Sequence, residues 1–92
     1  MVSKKKTVKV IWDVEAKKSL RSIYDYIKSR ESVRVAKKVR TEIVEQVKQL
    51  AFLPEKFQEE PYLKEESGNY RYKVIWSYKV IYEVTADAIF IF

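Results

Sequence analysis

The 92-residue sequence predicts an α+β domain, with an N-terminal strand, an antiparallel helical hairpin and a three-strand antiparallel meander. Residues 7–12 and 70–84 alternate between apolar and polar side chains, which is typical of strands with one face on a core. Residues 13–50 instead carry apolar side chains at spacings of three and four, the period of an amphipathic helix. We therefore expect a single domain over residues 1–92, with both helices packed on one face of the sheet.

The predicted first strand runs from Thr7 to Trp12, and the first helix follows it directly. Asp13 is the expected N-cap, because its carboxylate can accept from the free amides of the first helical turn. The helix is expected to end at about Ser29. Its apolar stripe comprises Ala16, Leu20, Ile23, Tyr24 and Ile27.

Ser32 is the expected cap of the second helix, and the link between the helices is short enough to make them antiparallel. Pro54 disfavours helical conformation in the residue before it, so this helix should end near Phe52-Leu53. Residues 55–69 contain five glutamates, and we predict a loop there. The meander follows, with a tight turn in the hairpin over 70–84 and a last strand at Ile89–Phe92.

Composition excludes several kinds of function. The chain contains no cysteine and no histidine, so thiolate chemistry, sulfur-based zinc sites and a Ser-His-Asp triad are all excluded. We expect no metal and no cofactor. The first residues lack the apolar segment of a signal peptide, and no apolar run approaches a membrane span. The sequence therefore predicts a cytoplasmic protein.

Positive charge is concentrated in the first half of the chain. Residues 1–50 carry 14 Lys and Arg against 6 Asp and Glu, whereas residues 51–92 carry 5 against 7. Such an imbalance favours binding to nucleic acid or to an acidic protein, and composition does not choose between them. We interpret residues 1–6, with Lys4-Lys5-Lys6, as a disordered basic arm.

The predicted hairpin interleaves aromatic side chains and cations. From strand alternation we expect Arg71, Lys73 and Lys79 together on one sheet face, the one that the helices leave uncovered. Three cations on a rigid sheet suit a polyanion or an acidic partner. The alternative is the solvated face of an ordinary antiparallel sheet.

The order of these segments resembles the RelE/ParE toxin superfamily, the toxins of type II toxin–antitoxin (plasmid stabilisation) modules. The most specific part is the hairpin, where an arginine on one strand precedes a Tyr-basic-apolar-apolar-Tyr strand. The resemblance extends from about Val8 to Phe92. The residues that carry it are Val10-Ile11-Trp12, Ala16, Leu20, Ile23-Tyr24-Asp25-Tyr26-Ile27, Ala36, Ile43, Leu50, Pro54, Tyr70-Arg71 and Tyr78-Lys79-Val80-Ile81-Tyr82.

The resemblance implies two alternative activities. RelE-like members cleave messenger RNA on the ribosome without a metal, and Arg71, Lys73 and Lys79 would then be the catalytic candidates. ParE-like members lack that cluster and inhibit DNA gyrase. RelE-like enzymes also need an arginine in a tail after the last strand, whereas this sequence stops at Phe92. We therefore favour the ParE-like branch and a non-enzymatic toxin. A third alternative is an inert member that binds only nucleic acid or an antitoxin.

The resemblance also implies a partner, an antitoxin whose C-terminal segment wraps the toxin as helix and strand. Given the basic first half, we expect this antitoxin to be acidic and to cover the cationic hairpin face. The binding candidates are Arg71, Lys73, Lys79, Tyr26 and Tyr78. Tyr24 belongs to the apolar stripe of the first helix and is interpreted as a core residue.

Overall fold

The order of helices and strands agrees with the sequence prediction. The computed structural model describes residues 8–52 and 54–92, so the predicted basic arm, Thr7 and Leu53 lie outside the described residues. The elements are β1 (Lys9–Trp12), α1 (Val14–Arg30), α2 (Val33–Gln49), a 3₁₀ turn (Pro61–Leu63), β2 (Asn69–Ile75), β3 (Tyr78–Val84) and β4 (Ala88–Ile91).

Both predicted helix caps are confirmed. The Asp13 carboxylate accepts from the backbone N–H of Glu15 at 3.3 Å, and the Ser32 hydroxyl accepts from that of Val35 at 3.1 Å. The second helix ends at Gln49, three residues earlier than expected, and Leu50 to Phe52 continue as turns. No described helix is long and apolar enough to span a membrane.

The four strands form one sheet in the order β1-β4-β3-β2. Strands β2, β3 and β4 are the predicted antiparallel meander, and β1 pairs with β4 in parallel. The helical hairpin is the crossover between these two parallel partners, so both helices lie against the same face of the sheet, as predicted.

The core lies between this inner face and the helices. Its sheet side includes Ile75, Tyr82 and Ile91, and its helix side includes Ile43 and Leu50, all fully buried or nearly so. The Tyr82 hydroxyl donates a hydrogen bond to the Pro54 carbonyl oxygen at 2.9 Å, and burial raises the pKa of Tyr82 to about 12. The core therefore reaches the segment between α2 and β2 and holds one end of it.

Backbone pairing holds the same segment farther along. Residue Glu59 forms an antiparallel bridge with Arg71, through hydrogen bonds from Glu60 N to Tyr70 O and from Tyr72 N to Gln58 O. The segment predicted as a loop thus adds a short extended stretch along the edge of β2 that does not pair with β3. Part of this sheet edge is therefore already paired within the chain.

Candidate functional site

The three cations predicted to share one sheet face lie on opposite faces. In the β2–β3 register, Arg71 is opposite Tyr82 and Lys73 is opposite Val80, so both belong to the inner face. Lys79 is opposite Val74 and belongs to the outer face. The prediction of one cationic face is therefore wrong.

The length of the hairpin turn is the physical reason. Ile75 pairs with Tyr78, so the turn contains only Trp76 and Ser77, with Trp76 at a φ of 58° as two-residue turns favour. With two turn residues, odd-numbered positions of β2 stand opposite even-numbered positions of β3. A shift of one residue moves a side chain to the other face, and Lys79 is moved in this way.

Arg71 holds the segment between α2 and β2 in place. Its guanidinium donates to the carbonyl oxygens of Phe57 at 2.7 Å and Glu55 at 3.2 Å, and to the Asn69 side-chain oxygen at 3.0 Å. The Glu55 carboxylate lies 3.6 Å away, and the Arg71 side chain is only 15% exposed. The Nε and Nη1 groups of the guanidinium make these three hydrogen bonds, so Arg71 is a structural clamp.

Lys79 is held by a buried carboxylate. Its ammonium lies 2.7 Å from a carboxylate oxygen of Glu60, a residue only 1% exposed, and the other carboxylate oxygen accepts from the Tyr62 N–H at 3.1 Å. The rings of Tyr72 and Tyr62 flank the ammonium at 4.6 Å and 5.2 Å. The hydrogen bond from Lys79 keeps the pKa of Glu60 below its usual value despite burial. The charge of Lys79 is therefore balanced within the chain.

Lys73 is the remaining member of the predicted trio. Its ammonium lies 4.8 Å from the centre of the Phe57 ring, in a shallow cavity that it shares with Lys56. Desolvation, and then the positive charge of Lys56, lower its pKa. Within residues 8–52 and 54–92 it forms no ion pair with a carboxylate. Lys73 is thus available, but Arg71 and Lys79 do not converge on it.

The sheet face left uncovered by the helices is apolar rather than cationic. Phe90 stands opposite Ile11 in the β1–β4 pair, and the register places them on the side opposite Tyr82. The rings of Tyr70 and Phe92 pack at 6.2 Å between centres. This outer face comprises Ile11, Tyr70, Tyr72, Val74, Ile81, Phe90 and Phe92, with Lys9, Lys79, Glu83 and Ala88.

The two predicted tyrosines lie in different places. Tyr26 is exposed on α1, where the Arg30 guanidinium stacks over its ring at 5.0 Å. Tyr78 lies on the inner sheet face beside Ile75 and is half-buried. The structure therefore distributes the five predicted site residues over both sheet faces and one helix, and does not assemble them into one site.

A different cluster, which sequence reasoning missed, lies on the helical hairpin. Its members line a groove of about 580 Å³, which we call the helical groove. The lining residues are Trp12, Lys17, Leu20, Arg21, Tyr24, Asp25, Lys28, Arg40 and Val44. The Arg40 guanidinium stacks on the Tyr24 ring at 4.5 Å. Tyr24, interpreted from the sequence as a core residue, is half-buried and lines this groove. The overlooked signal was the basic stripe of Lys17, Arg21 and Lys28, adjacent to the apolar stripe of α1.

Comparison with known families decides what kind of protein this is. The sequence profile described as the ParE toxin of the type II toxin–antitoxin system ParDE matches residues 10–92. The chain belongs to the ParE toxin family. The fold agrees, because a chain of the chromosomal ParDE toxin–antitoxin system from P. aeruginosa superposes with a TM-score of 0.75. That chain is 25% identical in sequence, and the match covers 92% of this ParE protein and 90% of that chain. A comparison with curated protein sequences finds no significant match.

Proposed function

We propose that this ParE protein is a cytoplasmic toxin that stops growth by binding an essential protein, with DNA gyrase as the first candidate. It acts without an enzymatic step of its own and is neutralised by an acidic antitoxin. The observation that carries the proposal is the separation of Lys79 from Arg71 and Lys73, because RNA cleavage by this fold would need all three together.

Phosphodiester cleavage sets a geometric requirement that the hairpin does not meet. Attack by a ribose 2′-hydroxyl builds negative charge on the phosphate, which preorganised cations must surround at hydrogen-bond distance. Arg71 donates instead to Phe57, Glu55 and Asn69, and Lys79 is ion-paired with Glu60 on the opposite face. Lys73 alone does not provide such a cluster, so the ribonuclease alternative is not favoured.

An antitoxin partner is supported by the family and by charge. The family is that of a type II toxin–antitoxin system, and the chain carries a net charge of +6. An acidic protein would be steered toward so basic a surface and would neutralise it on binding. This supports the partner predicted from the sequence, although the cationic hairpin face first expected to bind it does not exist.

A supercoiling assay with purified DNA gyrase tests the proposal. The purified chain should inhibit supercoiling, and adding the protein encoded by the adjacent reading frame should relieve the inhibition. A parallel assay should find no cleavage of messenger RNA on translating ribosomes. Growth arrest with ribosome-dependent cleavage and unaffected gyrase would contradict the proposal. Expression without growth arrest would favour the inert alternative.

A further inference from the structure

We propose that a shallow cavity beside β2 binds a phosphate monoester that carries an aromatic ring, as a nucleoside monophosphate does. The cavity has a volume of about 270 Å³ and lies where the end of α2, the segment after it and β2 meet. We call it the lysine pocket, and its described lining residues are Gln49, Phe52, Lys56, Phe57 and Lys73. The inference goes beyond the proposed function, because it adds a small-molecule site to a chain whose proposed partners are proteins.

The first observation is a pair of cations that share one aromatic ring. The ammonium groups of Lys73 and Lys56 lie 4.8 Å and 5.5 Å from the centre of the Phe57 ring. Within residues 8–52 and 54–92 neither lysine forms an ion pair with a carboxylate. Desolvation, and then the charge of Lys56, lower the pKa of Lys73, so an anion between the two ammonium groups would stabilise both.

The acidic residue next to these lysines is engaged elsewhere. The Glu55 carboxylate lies 3.6 Å from the guanidinium of Arg71, which also receives the Glu55 carbonyl oxygen as an acceptor. The described lining of the lysine pocket contains no aspartate or glutamate. A phosphate monoester carries close to two negative charges at neutral pH, so one such group can balance both ammonium charges.

The fold holds the lysine pocket in place. Lys73 lies on β2 opposite Val80, and Phe57 packs against the hydrophobic core. The Arg71 guanidinium donates to the Phe57 carbonyl oxygen at 2.7 Å, which fixes the segment that carries Lys56. A ligand would therefore lose less free energy to ordering the site than it would on a flexible surface.

The rim of the pocket offers contacts for a ring as well as for a phosphate. The Phe52 side chain is 57% exposed, and the Gln49 side chain supplies an amide with both donors and an acceptor. Nucleobases stack on aromatic rings and form hydrogen bonds with such amides. Paired cations beside an exposed ring and an amide therefore fit a nucleotide better than they fit inorganic phosphate.

The size of the pocket favours a single nucleotide over a nucleic-acid strand. Sites for drug-sized molecules start at about 300 Å³, and the lysine pocket lies just below that volume. A strand needs a basic groove that follows several phosphates. The cations nearest in sequence do not provide one, since Arg71 binds backbone carbonyls and Lys79 pairs with Glu60 on the opposite face. We therefore assign the binding of one phosphate group, with no bond-breaking step.

Calorimetric titration of the full chain tests the site, with AMP, adenosine and inorganic phosphate as probes. The pocket variant is Lys56→Gln with Lys73→Gln. The control is Lys37→Gln with Lys38→Gln, which removes the same charge from exposed positions of α2 outside the pocket. A third variant, Phe52→Ala, removes the exposed ring alone. Circular dichroism and thermal unfolding confirm that all three variants are folded.

We expect the pocket variant to bind AMP at least about tenfold more weakly, because it lacks both charge-assisted contacts to the phosphate. The control should bind AMP like the wild type, and adenosine should bind the wild type at least about tenfold more weakly than AMP. The Phe52→Ala variant should lose at least about fivefold in affinity for AMP, with affinity for inorganic phosphate unchanged. Affinity for AMP should also fall below a pH of about 6, where the phosphate loses its second negative charge.

Four results would overturn the inference. The first is an absence of AMP binding to the wild type at millimolar concentration, and the second is wild-type affinity for AMP in the folded pocket variant. The third is equal affinity of the wild type for AMP and adenosine, which would mean that the phosphate is not recognised. The fourth is tighter binding of a single-stranded oligonucleotide without a terminal phosphate, lost in the pocket variant, which would assign the lysines to a nucleic-acid strand. None of these results bears on the proposed function, which the supercoiling assay tests separately.

Discussion

The β-hairpin and the helical hairpin are both basic, but they use their charges differently. On the β-hairpin, Arg71 binds carbonyl groups of the preceding segment and Lys79 is paired with Glu60. On the helical hairpin, the four cations of the helical groove are exposed and form no ion pair in the described part of the chain. The number of cations in a segment therefore does not reveal how many are available to a partner.

The difference follows from what lies beside each hairpin. The segment between α2 and β2 runs along the edge of β2 that does not pair with β3. Its carbonyl and carboxylate groups need hydrogen-bond donors there. Arg71 and Lys79 satisfy several of those groups. Within residues 8–52 and 54–92 no such segment lies against the helical groove, and its cations are exposed to solvent.

Removing Arg71 should have the largest effect on stability. Arg71→Ala leaves the carbonyl oxygens of Glu55 and Phe57 without their donor, and we expect a loss of about 2 kcal/mol in the free energy of unfolding. Arg21→Ala on the groove should change stability by less than about 0.5 kcal/mol. Urea unfolding measures both. Equal stability of the two variants would contradict the clamp role of Arg71.

Replacing Lys79 should have the second-largest effect on stability. Lys79→Met leaves the buried carboxylate of Glu60 without its cation, so the thermal midpoint should fall. The loss is moderated because the Lys79 side chain is 37% exposed and water replaces part of the interaction. Lys28→Met is the matched control and should unfold at the wild-type temperature. A stable Lys79→Met variant would mean that the Glu60 carboxylate does not depend on this cation.

The ion pair between Lys79 and Glu60 should make stability depend on pH. Because the hydrogen bond from Lys79 lowers the pKa of Glu60 in the folded state, the stabilisation is complete above the usual pKa of 4.5. It is lost as the pH falls through the lower pKa of the folded state. Thermal midpoints measured between pH 6 and pH 3 should therefore drop more for the wild type than for Glu60→Gln. If the thermal midpoints of the wild type and of Glu60→Gln fall in parallel with pH, the pKa of Glu60 is not lowered in the folded state.

The smallest effect on stability should come from Lys73. Lys73→Gln removes a desolvated charge that has no carboxylate partner in the described residues, so stability should change by less than about 0.5 kcal/mol. Growth arrest on expression should also be unchanged, as with the control Lys48→Gln. Loss of toxicity in a folded Lys73→Gln protein would revive the ribonuclease alternative.

Most of the fold could be predicted from local sequence patterns. Asp13 and Ser32 were identified as helix caps because capping depends on residues only a few positions apart. The order of strands and helices followed from periodicity in the same way. The register of the hairpin was not determined by the sequence, since a difference of one turn residue exchanges the two faces of β3. That single difference separated Lys79 from Arg71.

The partners of the site residues were also beyond sequence reasoning. Glu60 is one of five glutamates in a segment that reads as solvated, yet it is buried against Lys79. That contact joins residues nineteen positions apart in the chain, and no local pattern marks it. The position of Tyr24 in the apolar stripe of α1 predicts a core residue, whereas the groove that it lines is formed by α1 and α2 together.

The salt dependence of antitoxin binding tests the contrast between the two hairpins most directly. The dissociation constant is measured from low to high salt for the wild type, Arg21→Gln and Lys73→Gln, each variant lacking one positive charge. We predict that Arg21→Gln weakens binding at low salt and flattens the salt dependence, because screening acts on the charges that contact the partner. Lys73→Gln should follow the wild type. A flattened curve for Lys73→Gln with a wild-type curve for Arg21→Gln would contradict the account.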